Sequence, residues 1–126
     1  MKPLWYDGTI LLENTWMKPL TKSALRVVLV TAPKKEAEAL ARALLKERLI
    51  ACANLLPGVV SLYWWEEKIE RGAETLLVMK TPRANIKKLF ARIKQLHSYA
   101  VPEFLALAPL ESNPEYEAWA IREAKR

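Results

Sequence analysis

A chain of 126 residues has room for one domain with a substantial core, and 52% hydrophobic against 27% charged residues is the balance of an ordinary folded protein, neither disordered nor membrane-embedded. The single cysteine, Cys52, excludes an internal disulfide, no window nears the ~18–20 continuous apolar residues of a membrane span, and the start lacks a signal peptide's basic and apolar regions, so an intracellular protein is expected. A net charge of +6 admits a nucleic-acid partner only if the cations gather on one binding surface.

Met1-Lys2-Pro3-Leu4 recurs as Met17-Lys18-Pro19-Leu20, which marks residues 1–24 as an N-terminal extension, dispensable for a domain of 25–126, with translation or the domain proper beginning at Met17. Ile10-Leu11-Leu12 and the aromatics around them keep open the option that this arm docks on a surface. From Leu25 to Val30 the chain is almost wholly apolar and β-branched, which predicts a strand covered on both faces. Thr31-Ala32-Pro33 then opens a helix running to about Arg48, whose Ala37, Leu40, Ala41 and Leu44 form one buried stripe at i, i+3, i+4, i+7 spacing.

Ile50 to Thr81 reads as one long antiparallel hairpin. Pro57-Gly58 predicts a bulge in its first half, Tyr63-Trp64-Trp65-Glu66-Glu67-Lys68 lies in the outer arm, and Arg71-Gly72-Ala73-Glu74 carries the turn chemistry. Setting Pro33 over Pro82 brings Val27–Val30 onto Leu76–Met79 and the first helix's stripe onto Ile86, Leu89, Phe90 and Ile93, with no gap. The same register carries Ile50-Ala51-Cys52 onto Tyr99-Ala100-Val101. Two tandem βαβ halves predict an α+β, ferredoxin-like β-α-β-β-α-β fold with strand order 4-1-3-2. The edges are then Cys52–Glu66 and Val101–Leu107, and a C-terminal helix starts near Ser112-Asn113-Pro114-Glu115. A long aromatic edge, and a sheet with only two helices to cover it, call for a partner, and copies of the same chain are the economical one.

Ala51-Cys52-Ala53-Asn54-Leu55-Leu56-Pro57-Gly58, Ser61-Leu62-Tyr63-Trp64-Trp65-Glu66-Glu67-Lys68, Lys80-Thr81, His97-Ser98-Tyr99-Ala100-Val101-Pro102-Glu103 and the pair Tyr116 and Trp119 resemble, in order and spacing, the CutA divalent-cation tolerance proteins. The resemblance covers Leu25 to about Ala124. It implies a ferredoxin-like subunit in a tight homotrimer, a cytoplasmic protein linked to copper and other divalent cations, and kinship of fold with the PII signalling proteins. It implies no reaction, so an enzyme is not expected. The chain departs from the family's metal-ligand pattern at Val30 and Leu96, keeping only His97, and has Ser98 where Pro is usual.

For the chemistry, His97 ends the second helix, where it can cap the last carbonyls or join Glu103 in a cation site completed by three-fold assembly. Any such cation, copper included, is not needed for folding. Trp64 and Trp65 face opposite sides of their strand and fit either packing between subunits or stacking on a ligand. Glu66 and Lys68, brought by a partner's hairpin to Lys80, Tyr99 and Glu103 beside Tyr116, can form an interface pocket for a small charged regulator, or an interface ion-pair network. The alternative is a PII-like small-molecule-binding trimer with no physiological metal. A basic nucleic-acid module is less favoured: Arg83, Lys87, Lys88, Arg92 and Lys94 lie on the second helix, away from any base-stacking sheet. A phosphate-cradling enzyme loop has no Gly-rich turn to build it. Cys52, in apolar company, reads as core.

Overall fold

The computed structural model describes residues 21–125. Of the N-terminal extension 1–24, residues 1–20 lie outside them. Strand β1 (Leu25–Ala32) leads to helix α1 (Lys34–Lys46), the long strands β2 (Cys52–Trp65) and β3 (Lys68–Pro82), a 3-10 turn (Arg83–Asn85), helix α2 (Ile86–Leu96), a short β4 (Leu105–Leu107) and helix α3 (Pro114–Glu123). The sheet order β2-β3-β1-β4 is the expected 4-1-3-2 read from the other edge, and every neighbouring pair is antiparallel.

Side chains alternate across a strand, so the register assigns them to faces. Val28, Val30 and Ala32 of β1, with Leu77 and Met79 of β3, meet Ala37, Leu40, Ala41 and Leu44 of α1 and Leu89 and Ile93 of α2 in the main core. Each fully buried Leu or Ile there contributes about 1.5–3 kcal/mol. The opposite face carries Val27, Leu29, Leu76 and Val78, which are only half-buried. Helix α3 covers one end of it, through Ala120 and Ala124 against Leu25 and Ala51. In the single chain β1 is thus covered fully on one face and only in part on the other. Its continuous apolar sequence places one face on α1 and α2 and leaves Val27 and Leu29 half-buried on the other.

Helix α1 ends in a Schellman motif: Leu49 N–H bonds Leu44 O, Arg48 N–H bonds Leu45 O, and Arg48 takes a left-handed φ of 60°. Helix α3 starts as its sequence indicates, with the Asn113 side chain accepting from Glu115 N–H and Pro at the first position. Ahead of β1, Thr21 Oγ1 donates to Pro109 O, Lys22 N–H to Leu110 O and Ala24 N–H to Glu117, tying the entry of the chain to the β4–α3 connection.

The hairpin keeps its bulge, with a register shift between Leu56 and Val59 and Gly58 at φ 75°. Its turn, however, is not at Arg71–Glu74. The ladder runs on through Tyr63↔Glu70 to Trp65↔Lys68 and closes over Glu66-Glu67, both at positive φ (48° and 65°), the signature of a two-residue type I′ turn. Gly72 instead pairs with Ser61 in mid-ladder, where a Cβ would stand 3.9 Å from the Tyr63 ring, in ordinary contact. Strand β4 is also shorter than the expected Val101–Leu107. Pro102, which has no N–H to donate, precedes it, and pairing with β1 spans only Leu105 to Leu107.

Candidate functional site

The residues singled out in the sequence fall in three places on one chain. Trp64, Trp65, Glu66 and Lys68 lie at the far end of the hairpin. Register puts Trp64 with Leu62 and Ile69 on one face and Trp65 with Tyr63, Lys68 and Glu70 on the other. Leu62 (69% exposed), Trp64 (72%), Trp65 (59%) and Ile69 (66%) are all uncovered. From Lys68 to Glu74 the strand runs roughly 20 Å. Lys68 and Glu66 therefore lie away from Tyr99, which bonds Glu74, in the single chain.

The second place follows α2. His97 is the residue at the helix end, with its side chain fully buried. Its Nε2 donates to Thr31 O at 2.8 Å and its Nδ1 accepts from Tyr99 N–H at 3.0 Å, which defines the Nε2–H tautomer and occupies both ring nitrogens. The Tyr99 ring lies 4.7 Å from the imidazole, centroid to centroid. Glu36 from α1 accepts from Ser98 Oγ at 2.7 Å and stands 4.0 Å from His97 Nδ1. Tyr99 Oη donates to Glu74 Oε2 at 2.9 Å. Burial first, then the Glu74 hydrogen bond and charge, push the Tyr99 phenol up to about 12, so it remains a donor throughout the physiological range. Partial desolvation, and secondly the Glu74 charge, hold Glu103 above the ordinary carboxylate value. His97 and Glu103 thus share a neighbourhood through Tyr99 and Glu74. A metal on His97 requires one of its two hydrogen bonds to open.

The third place is the end of the open sheet face under α3. Lys80 Nζ donates to Asn54 Oδ1 and lies 3.7 Å from Cys52 Sγ. The Tyr116 phenol is pushed up by burial and secondly by the adjacent Cys52, and its ring lies 5.5 Å from that of Trp119. Cys52 is half-exposed in polar company, which corrects its reading as a core residue. The sequence reading also missed Glu74, Glu36 and Asn54. A turn reading at Arg71–Glu74 hides Glu74, Glu36 carries no local motif, and Asn54 stands only as one position of the Ala51–Gly58 stretch. Among the described residues no group of three or more His, Cys, Asp and Glu is arranged to hold a metal ion. The donors of one chain, an occupied imidazole and separated carboxylates, do not fit a tetrahedral zinc- or copper-type site.

Comparison with known proteins matches residues 26–123 to the family described as CutA1 divalent ion tolerance protein. The divalent-cation tolerance protein CutA of Thermus thermophilus is 46% identical over 94 residues, which are 74% of this chain and 91% of that protein. The chloroplastic protein CutA 1 of Oryza sativa is 44% identical over 94 residues, and the chain spans only 53% of its length. Among solved structures, the divalent cation tolerance protein (CutA1) of Thermus thermophilus superposes with a TM-score of 0.76 at 42% identity, over 79% of this chain and 97% of that one.

Proposed function

The chain belongs to the CutA1 divalent ion tolerance protein family, and from that premise we propose that it serves divalent-cation tolerance, copper among the cations, as a cytoplasmic homotrimer whose subunit junctions hold a cation or a small charged regulator. The observation that carries this reading is the incompleteness of one chain. The hairpin projects Leu62, Trp64, Trp65 and Ile69 into solvent, and the open sheet face adds Leu56, Leu105 and Leu107, each about half exposed. An apolar surface of that extent, flanked by free strand edges, supports burial against further copies.

Assembly also supplies what the single chain lacks. A neighbour's hairpin end brings Glu66 and Lys68 toward Glu74, Tyr99 and Glu103, where an ammonium offsets the repulsion between the two carboxylates. The donors facing that junction are Glu103, Glu74 and the Tyr99 hydroxyl, with His97 as the imidazole behind them. No catalytic step belongs to this reading. A second reading, a PII-like trimer that binds a small molecule and uses no metal physiologically, is favoured by the double hydrogen bonding of the His97 ring. A nucleic-acid role is not part of either: on α2, Arg92 is committed to Glu47 at 2.9 Å and Lys94 sits 5.4 Å over the Phe90 ring.

The test is native mass and metal content of the untagged protein, measured together. A trimer carrying stoichiometric divalent metal supports the first reading, and a metal-free trimer that retains an organic ligand supports the second. Trp65→Lys is expected to weaken assembly, because an unpaired charge buried in such an interface costs several kcal/mol. A stable native monomer at micromolar concentration refutes the trimer.

A further inference from the structure

A cleft of about 320 Å³ opens where the ends of α1 and α3 meet the start of α2, lined by Arg48, Lys88 and Lys125 with Pro82, Asn85 and Ile121. It lies within one chain and shares no lining residue with the three places of the candidate site. Among the described residues, three cations face it and no carboxylate lines it. The one acidic group recorded there against any of the three is Glu123, which pairs with Arg48 Nη1 at 3.0 Å. The floor is fixed by Asn85, whose Nδ2 donates to Ala124 O at 2.8 Å and, more weakly, to the carbonyls of Arg48 and Leu49.

Two of the cations stand where local physics disfavours them. Arg48 occupies the left-handed position that ends α1, where glycine is the default and any Cβ is a cost. Lys88 sits in the first turn of α2, the positive end of the helix dipole, and that turn has no acidic residue. Lys125, just past α3, sits at a favourable end. The guanidinium of Arg48 and the ammoniums of Lys88 and Lys125 line one cavity, and an anion between them offsets their mutual repulsion and the unfavourable dipole at Lys88, while the backbone cost at Arg48 is steric and independent of it.

We propose that this cleft binds the phosphate group of a small soluble anion. Arg48 supplies the planar fork that fits two phosphate oxygens, with Nη1 steadied by Glu123, and Lys88 and Lys125 act as point charges. The volume has room for the phosphate and part of the molecule carrying it.

The test is a titration of the full-length protein with inorganic phosphate at constant ionic strength, followed by amide NMR shifts. Saturable shifts at residues 48–49, 82–88 and 124–125 are expected, with no response to chloride. Arg48→Gly and Lys88→Gln should each weaken binding about five-fold or more, whereas Lys34→Gln on α1 should not. Arg48→Gly suits the left-handed backbone, so its melting temperature checks that the fold survives, and Lys88→Gln, which breaks no recorded ion pair, decides independently. Shifts scattered over surface lysines, equal shifts with chloride, or unchanged affinity in both variants overturn the proposal. Binding to phosphatidic-acid vesicles without binding to free phosphate also overturns it.

Discussion

Replacing His97 with Ala tests whether the imidazole is a structural bolt. The substitution removes a ring with no exposed side-chain surface and leaves two partners stranded, the Thr31 carbonyl inside the sheet and the Tyr99 N–H at the start of the α2–β4 connection. Each lost hydrogen bond costs about 1 kcal/mol net, and the cavity adds a comparable amount, so the total is about 3 kcal/mol. Equilibrium urea unfolding at neutral pH reads this as a midpoint lowered by roughly 1–2 M. His97→Gln, which keeps one donor and one acceptor, should recover part of the loss. Copper titration of the folded variants should show affinity little changed from the parent, because neither ring nitrogen has a free lone pair in this arrangement. A stability loss below about 1 kcal/mol for His97→Ala would refute the reasoning. So would one tight copper per subunit that vanishes with the ring while the fold persists.

At the hairpin turn, Glu66-Glu67→Asn-Gly places the residues that type I′ geometry favours at two strained positions, and should raise stability by about 1–2 kcal/mol in thermal or urea unfolding. A decrease would mean that the carboxylates are held by something at the tip. Glu103 has its folded pKa above the unfolded value, so the fold favours the protonated form; its stabilising effect is full below the unfolded value and is lost as pH rises through the folded one. Glu103→Gln should therefore stabilise the protein at pH 7 and be nearly neutral near pH 4, and unfolding curves at the two pH values that showed the reverse order would exclude this account. Removal of Met1–Trp16 should leave the melting temperature nearly unchanged, whereas removal through Ala24 deletes the hydrogen bonds to Pro109, Leu110 and Glu117 and should lower it. Equal effects from the two truncations would show that the bonded residues 21–24 are not what matters.

The order of elements and the order of strands were legible in the sequence because they rest on local or repeated patterns. The stripe Ala37, Leu40, Ala41, Leu44 and its echo at Ile86, Leu89, Ile93 identify two equivalent helices, and Pro57-Gly58 marks a bulge by backbone chemistry alone. Trp64 and Trp65 on opposite faces follow from the two-residue period of any strand. The turn could not be placed that way. Gly72 carries the strongest turn propensity in the hairpin, yet register is decided by which face meets the core, and the pairing of Leu55 with Leu77 carries the ladder past Gly72 to two glutamates in a conformation they disfavour.

The chemistry around His97 was out of reach for a related reason. Ser98 meets Glu36 across 62 residues and Tyr99 meets Glu74 across 25, so nothing near these residues in the chain announces their partners. Cys52 likewise looks apolar among Ala51 and Ala53, until the sheet sets Lys80 opposite it and α3 lowers Tyr116 onto it. Periodicity and backbone propensity act over a few residues, and they determined the elements, their pairing order and the exposed aromatic arm. Charge, hydrogen bonding and burial act through space, so which carboxylate sits by which hydroxyl, and whether an imidazole has a lone pair to give, was decided only when the sheet register and the three helices brought distant residues together.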